Sequence, residues 1–377
     1  MSEATLLVPA SVTAPAPRRT ELAGPWRLMW WRFCRHRLAV AGGVVVLLMY
    51  FVATFAEFFA PFPPNQDAAR YTFAPPQALH LFGPGWHFDP HVEGFRVTID
   101  PMAMRRVFRP DPTQSIAVGL FVHGAAYRLW GLIPADIHLI GPRDPSQPMY
   151  LLGADRLGRD VLSRLIYGGR VSLSIGLVGV TLSLILGIML GGLSGLYGGW
   201  IDTAIQRLIE MLRSIPTIPL WMGLTAAIPL TLPPLEVYFL ITIILSLIGW
   251  TSVARVVRGR FISLRTEDFI AAARLDGATT SRIILRHMVP NFASHIIATI
   301  SLAIPGMILA ETALSFLGVG LHPPIVSWGV MLQDAQNIRA IASAQWLLWP
   351  GATVAIAVLA FNFLGDGLRD AADPYDN

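Results

Sequence analysis

The sequence predicts an all-α polytopic membrane protein with about six transmembrane helices. Three observations carry that expectation. The 377 residues are 54% hydrophobic and only 14% charged, where a soluble domain carries about 25%. Mean hydropathy is +0.55. Uncharged runs of about 20 residues recur without the polar interleaving that a soluble core requires.

Taken in order, residues 1–37 form an Ala/Pro-rich tail, not a cleavable signal, and a lead-in carrying Trp26, Trp30, Trp31 and several arginines. Tryptophans and basic residues of that kind flank a span at a cytoplasmic surface. The first span starts at Leu38, in the segment 38–60. Val171–Tyr197, Ser214–Leu235, Val237–Ala254, Phe292–Ala310 and Ala344–Gly365 are the next five, all within 171–366. The third contains Pro216, Pro219 and Pro229, which kink or break helices. Arginines such as Arg207, Arg213, Arg255, Arg258, Arg282 and Arg369 collect in the short loops on one side. This bias places both termini and the tail 367–377 in the cytoplasm. Basic charge therefore marks a membrane face, and no nucleic-acid site is expected.

Between the first two spans, residues 61–150 are rich in Pro, Gly and aromatics, with alternating runs such as "FRVTID". They read as a small, partly strand-forming extracytoplasmic insertion. Residues 151–170 place Leu157, Val161, Leu162, Leu165 and Ile166 at helical spacing, with Arg156, Arg159, Asp160 and Arg164 opposite. That pattern predicts an amphipathic helix lying on the outer face.

The cytoplasmic segment 255–291 contains "FIAAARLDGATTSRIILRHMVPN". Thr266 is a candidate N-cap, and Glu267 and Asp268 suit the positive first turn of a helix. Phe269 to Arg274, with Ala271, Ala272 and Ala273 among them, continue that helix without bulk. Asp276 and Gly277 stop it, Gly277 being suited to positive φ. Ala278 follows, and Thr279 or Thr280 caps a second helix. The pattern alone also fits an ordinary solvated loop.

All basic side chains are arginine, since the sequence contains no lysine among its 28 Lys+Arg. A G-x-x-x-x-G-K-[ST] nucleotide loop is therefore excluded. With one cysteine, Cys34, neither an internal disulfide nor a thiolate cluster can form. His87, Asp89, His91 and Glu93 look ligand-like, but Pro90 breaks any helical pairing, so no metal site is expected. No catalytic constellation is present. Glu311, beside an apolar run, reads either as a structural partner or as a pathway residue. His295 reads either as a pathway residue or as a buried hydrogen-bonding one.

The loop resembles the EAA loop of ABC-importer permeases: Ala272 and Ala273 match its two alanines, Gly277 its glycine and Pro290 its closing proline. Ala271 stands where that motif has glutamate. The stretches "LGADRLGRDVLSRLIYGGRVSL", "ETALSFLGVGLHPPIVSWGVML" and "NFLGDGLRDAADP" resemble the dipeptide/oligopeptide/nickel branch, C-type subunit. The resemblance covers about Leu151 to Pro374. It implies type I importer architecture in a bacterial cytoplasmic membrane and a permease chain with no cofactor of its own. It also implies as partners a second, non-identical permease, two ATPase subunits and an extracytoplasmic solute-binding protein. The helix Thr266–Asp276 would be the coupling helix, with Gly277 and Ala278 completing the ATPase-coupling residues, and peptides the solute, with oligosaccharides or nickel complexes as alternatives. A self-contained secondary transporter would favour inverted repeats and mid-membrane charges.

Overall fold

The computed structural model describes residues 25–82, 87–100, 105–229 and 231–372; the tail before residue 25 and the last five residues lie outside them. The first two helices are α1 (Pro25–Arg35) and α2 (Arg37–Thr54), followed by a single turn, α3 (Ala56–Phe59). The His36 ring nitrogen caps α2 by accepting from the Ala39 amide at 3.2 Å. Beyond them lies a four-stranded antiparallel meander, β1 (Leu79–Phe82), β2 (Phe88–Asp100), β3 (Arg105–Leu129) and β4 (Ile133–Pro142), in the order β1-β2-β3-β4.

The membrane core follows with α4 (Val161–Tyr197), α5 (Gly199–Ser214), α6 (Thr217–Ala226) and α7 (Pro234–Leu264). After it come α8 (Asp268–Leu275) and the one-turn helices α9 (Thr280–Arg282) and α10 (Val289–Asn291). Then come α11 (Ala293–Phe316), α12 (Trp328–Gln333), α13 (Ile338–Ser343) and α14 (Trp349–Ala372).

Among the described residues, five helices are long and apolar enough to cross a membrane: those in α2, α4, α7, α11 and α14. The expected third span, Ser214–Leu235, is not one of them. Pro216 precedes a helix of only ten residues, α6, about 15 Å long. Pro219 is tolerated in its first turn, where amides need no internal partner.

The chain nevertheless recrosses there. Helices α4 and α7 lie side by side and run parallel. The Tyr238 hydroxyl bonds Ser174 at 3.0 Å, the Ser246 hydroxyl bonds the Gly179 carbonyl at 3.0 Å, and Gly195 abuts Arg258. Two parallel neighbours require a return between them, and α5 with α6 supplies it, broken at Ile215–Pro216.

Glycine makes the α4–α7 contact close. A methyl built on Gly191 would sit 2.4 Å from the Ala254 carbonyl oxygen, and one on Gly187 2.6 Å from Val253. Small residues of this kind let membrane helices approach backbone to backbone. The core joins α2, α4, α7, α11 and α14 through Leu173, Ile175, Leu245, Ile308 and Phe361, among others.

The segment 151–170 differs from its expectation. Residues before Val161 form turns, and Asp160 caps α4 by accepting from the Ser163 amide at 2.7 Å. Helix then runs without a break into the span. Most of its charged side chains are withdrawn from water: Arg159, Arg164, Asp155 and Asp160 are buried, while Arg156 stays exposed. Arg159 donates to Asp155 at 2.7 Å, Arg164 faces Asp155 at 3.3 Å, and Arg156 pairs with Asp334 at 2.9 Å. Paired burial, not amphipathic solvation, explains the spacing of charges there.

Candidate functional site

Two regions have the geometry of function. The first is a cavity of about 700 Å³ between α4, α6, α7 and α11. Trp221, Leu245, Val253, Leu302 and Met307 make its walls largely apolar. Ser183, Thr217 and Thr251 add hydroxyls, while Arg213 and Arg369 line it as cations. Arg213 is held by the Ser252 hydroxyl at 3.2 Å. The indole Nε1 of Trp221 is buried without a hydrogen-bond partner. This wall suits a largely apolar solute with polar or anionic groups. Sequence reading placed Arg213 and Arg369 only in the basic flank and passed over Trp221, whose one signal was a proline-interrupted apolar segment.

Glu311 lies elsewhere. It is fully buried, and its carboxylate accepts from Ser172 at 3.1 Å, Ser315 at 2.9 Å and Ser327 at 2.7 Å. The same Ser172 hydroxyl accepts from the Trp328 amide at 3.1 Å, and the Trp328 indole donates to the Leu165 carbonyl at 3.0 Å. Glu311 thus ties α4, α11 and the start of α12 together and is absent from the cavity wall. The side chain of His295 lies outside the described residues.

The second region is α8 and its turn. Glu267, not Thr266, is the N-cap, and it makes no side-chain capping bond; Thr266 instead donates to the Ser263 carbonyl at 3.2 Å. Asp268 opens the helix. At the other end Gly277 has φ +73°. The Ala278 amide donates to the Ala273 carbonyl and the Gly277 amide to the Arg274 carbonyl, both at 3.0 Å. This paired closure is the glycine stop expected from the sequence. Thr279 caps the next turn by accepting from the Arg282 amide at 3.4 Å.

Ile270 and Ala273 point inward onto Val257, Phe261, Ile283 and Met288. Phe269, Ala271, Ala272, Arg274, Leu275 and Asp276 are exposed, Leu275 at 89%. Ile270, which sequence reading did not single out, is therefore the anchor, and Ala271 belongs to the outward face. The expected second helix is wound as a π-helix from Ile283 to Met288, and α10 follows it with Phe292 as its C-cap. Helices α1, α8 and the end of α14 share one face of the molecule: α2 and α11 run away from that face and α14 back to it, with His36 4.0 Å from Asp370.

Comparison with known families decides the identity. Residues 184–375 match the family described as "Binding-protein-dependent transport system inner membrane component", and residues 24–76 match the N-terminal transmembrane domain of oligopeptide transport permease C. The chain belongs to this permease family. The dipeptide transport system permease protein DppC of Alkalihalophilus pseudofirmus is 40% identical over 59% of this chain and 71% of its own length. The oligopeptide transport system permease protein OppC of Bacillus subtilis is 35% identical over 63% and 75%, respectively. The glutathione transport system permease protein GsiD of Pectobacterium atrosepticum is 30% identical over 96% and 95%. Within this permease, the first match takes in α5 to α14, and with them all of α8 and all of the cavity's lining except Val180 and Ser183. The β-meander falls between the two matched stretches.

Proposed function

We propose that this permease forms half of the translocation pathway of an ATP-driven importer for peptides or solutes of similar size. A second, non-identical permease completes the pathway, two ATPase subunits dock on the α8 face, and an extracytoplasmic binding protein delivers solute on the sheet side. The observation that carries this reading is α8 itself: an exposed surface of Phe269, Ala271, Ala272 and Leu275, closed at its C-terminal end by the Gly277 turn and anchored beneath by Ile270. Three residues separate it from the end of the membrane helix α7. An apolar, small-residue patch of this kind favours a close protein neighbour over solvent. Helix α8 is then the coupling helix, and both termini lie in the cytoplasm with it.

The apolar cavity with Arg213 and Arg369 fits the passage of a peptide, whose terminal carboxylate those cations attract. Hydrolysis of ATP belongs to the partner subunits, because this chain lacks the lysine of a nucleotide loop. The test is isolation of the tagged chain from its native membrane, followed by uptake assays in vesicles. An ATPase should co-purify, and labelled oligopeptide should accumulate only with internal ATP and binding protein. Accumulation by the chain alone would overturn the reading.

A further inference from the structure

The hairpin of β3 and β4 carries large apolar side chains out into the surroundings. Leu120, Phe121, Trp130, Leu132 and Ile133 are 68%, 63%, 48%, 78% and 52% exposed. Trp130, Leu132 and Ile133 lie at the turn and Leu120 and Phe121 further back along β3; a water-facing sheet would not expose so many large apolar residues. Their position explains them. The Trp130 indole donates to the carbonyl of Thr54 at 2.9 Å, and Thr54 is the last residue of α2. Helix α2 is 18 residues long, about 27 Å at 1.5 Å per residue, which is close to the apolar thickness of a bilayer. Thr54 therefore marks the level at which the hydrocarbon ends, and the hairpin tip stands at that level.

The apolar surface is also continuous. Val44, Leu47, Leu48 and Phe51 form an exposed stripe on α2, the side that must face lipid or another membrane helix. From it the rings proceed in steps: Phe51 to Phe55 at 5.1 Å, Phe55 to Trp130 at 5.4 Å, Phe58 to Phe121 at 6.1 Å. The end of α2 is also fixed, because Arg170 donates to the Ala53 and Thr54 carbonyls at 2.9 and 3.0 Å. Tryptophan at the boundary, with apolar side chains beside it, is the composition of an interfacial anchor. Arg128, exposed two residues from Trp130, can reach lipid phosphate from there.

We infer that the β3–β4 hairpin is a second membrane anchor, with its tip, Trp130 to Ile133, seated in the headgroup region of the leaflet on the sheet side. The occupant of this apolar surface is lipid, so the meander is held against the bilayer and does not stand free above it. This holds whichever solute the permease carries.

The test uses the full chain with the subunits that co-purify, in nanodiscs of phosphatidylcholine and phosphatidylglycerol. In a Cys34→Ser background, single cysteines are placed by Leu132→Cys and, as a control far along the same strand, Pro112→Cys. Each is labelled with an environment-sensitive fluorophore. A nitroxide carried by lipid near its headgroup should quench the Leu132→Cys label at least about twofold more than the control, and iodide should quench it less. Equal iodide quenching at both positions would place the tip in water and overturn the inference. Protection from both quenchers would mean that another protein covers the tip, which overturns it equally.

Discussion

The Ser327 hydroxyl donates to the Glu311 carboxylate across 2.7 Å, joining the approach to α12 to the C-terminal turns of α11. With Ser172 and Ser315 the carboxylate has three hydroxyl donors and, among the described residues, no cation. Its replacement is therefore a question of acceptors. Glu311→Gln keeps one carbonyl acceptor and should lower thermal stability in detergent only modestly. Glu311→Leu removes both oxygens and leaves buried hydroxyls to find partners, at about 1–3 kcal/mol for each that fails. Melting curves of the two variants should separate clearly; equal curves would argue against the triad.

The glycine seam between α4 and α7 makes a steric prediction. Gly191→Val would place side-chain atoms where Ala254 backbone already stands. Overpacking of this sort costs about 1–3 kcal/mol and shifts backbone. Gly223→Ala is the control, since nothing lies within 4 Å of a methyl there. Yield and melting temperature should fall for the first and hold for the second.

Asp160 makes the stability of the α4 start depend on pH. Burial pushes its carboxyl up to about 6, against hydrogen bonds from Ser163 that favour the charged form. A raised carboxyl means that the folded chain binds a proton the unfolded chain has released. Between about pH 4 and 6, stability should therefore fall as pH rises, and flatten above that window. Asp160→Asn keeps an acceptor for the Ser163 amide and should remove the gradient, making the variant the more stable one at pH 7. A melting temperature with the same slope in both proteins would refute the assignment.

Gly277 permits a separation of shape from bulk. A methyl there meets nothing within 4 Å, so only the positive φ resists substitution, at about 1–2 kcal/mol for an ordinary residue. Gly277→Asn should keep the turn, while Gly277→Val or Gly277→Leu should distort it. If α8 couples the ATPase to transport, Gly277→Val lowers uptake per ATP hydrolysed and Gly277→Asn does not. Normal uptake by Gly277→Val at normal membrane levels would count against the coupling role.

Much of this architecture was legible in the chain. Long apolar runs announce α2, α4, α7, α11 and α14 because a bilayer demands them. The stop at Gly277 was legible because only a left-handed residue closes α8 so tightly. The return between α4 and α7 was misplaced: its first half, α5, is amphipathic and carries Asp202 and Arg207, so no apolar window contains it. The charges from Asp155 to Arg164 misled for a different reason. Helical spacing records which side chains share a face, but their buried partner Asp334 lies far along the chain. Glu311 posed the same difficulty, since Ser172 and Ser327 come from distant segments. The cap at Glu267 rather than Thr266 is a shift of one residue, within the ordinary uncertainty of helix ends.

The seam of Gly187, Gly191 and Gly195 has a mechanical consequence. It binds α4 to α7 over the half nearer α8, and the Tyr238–Ser174 bond holds the other half. Two helices joined at both ends resist sliding past one another. If α8 couples the ATPase to transport, a load applied there enters α7, whose 31 residues reach about 46 Å, and tilts the pair as a single lever. The short arm α6, which begins after Pro216, rides on this pair through Trp221 and Met222.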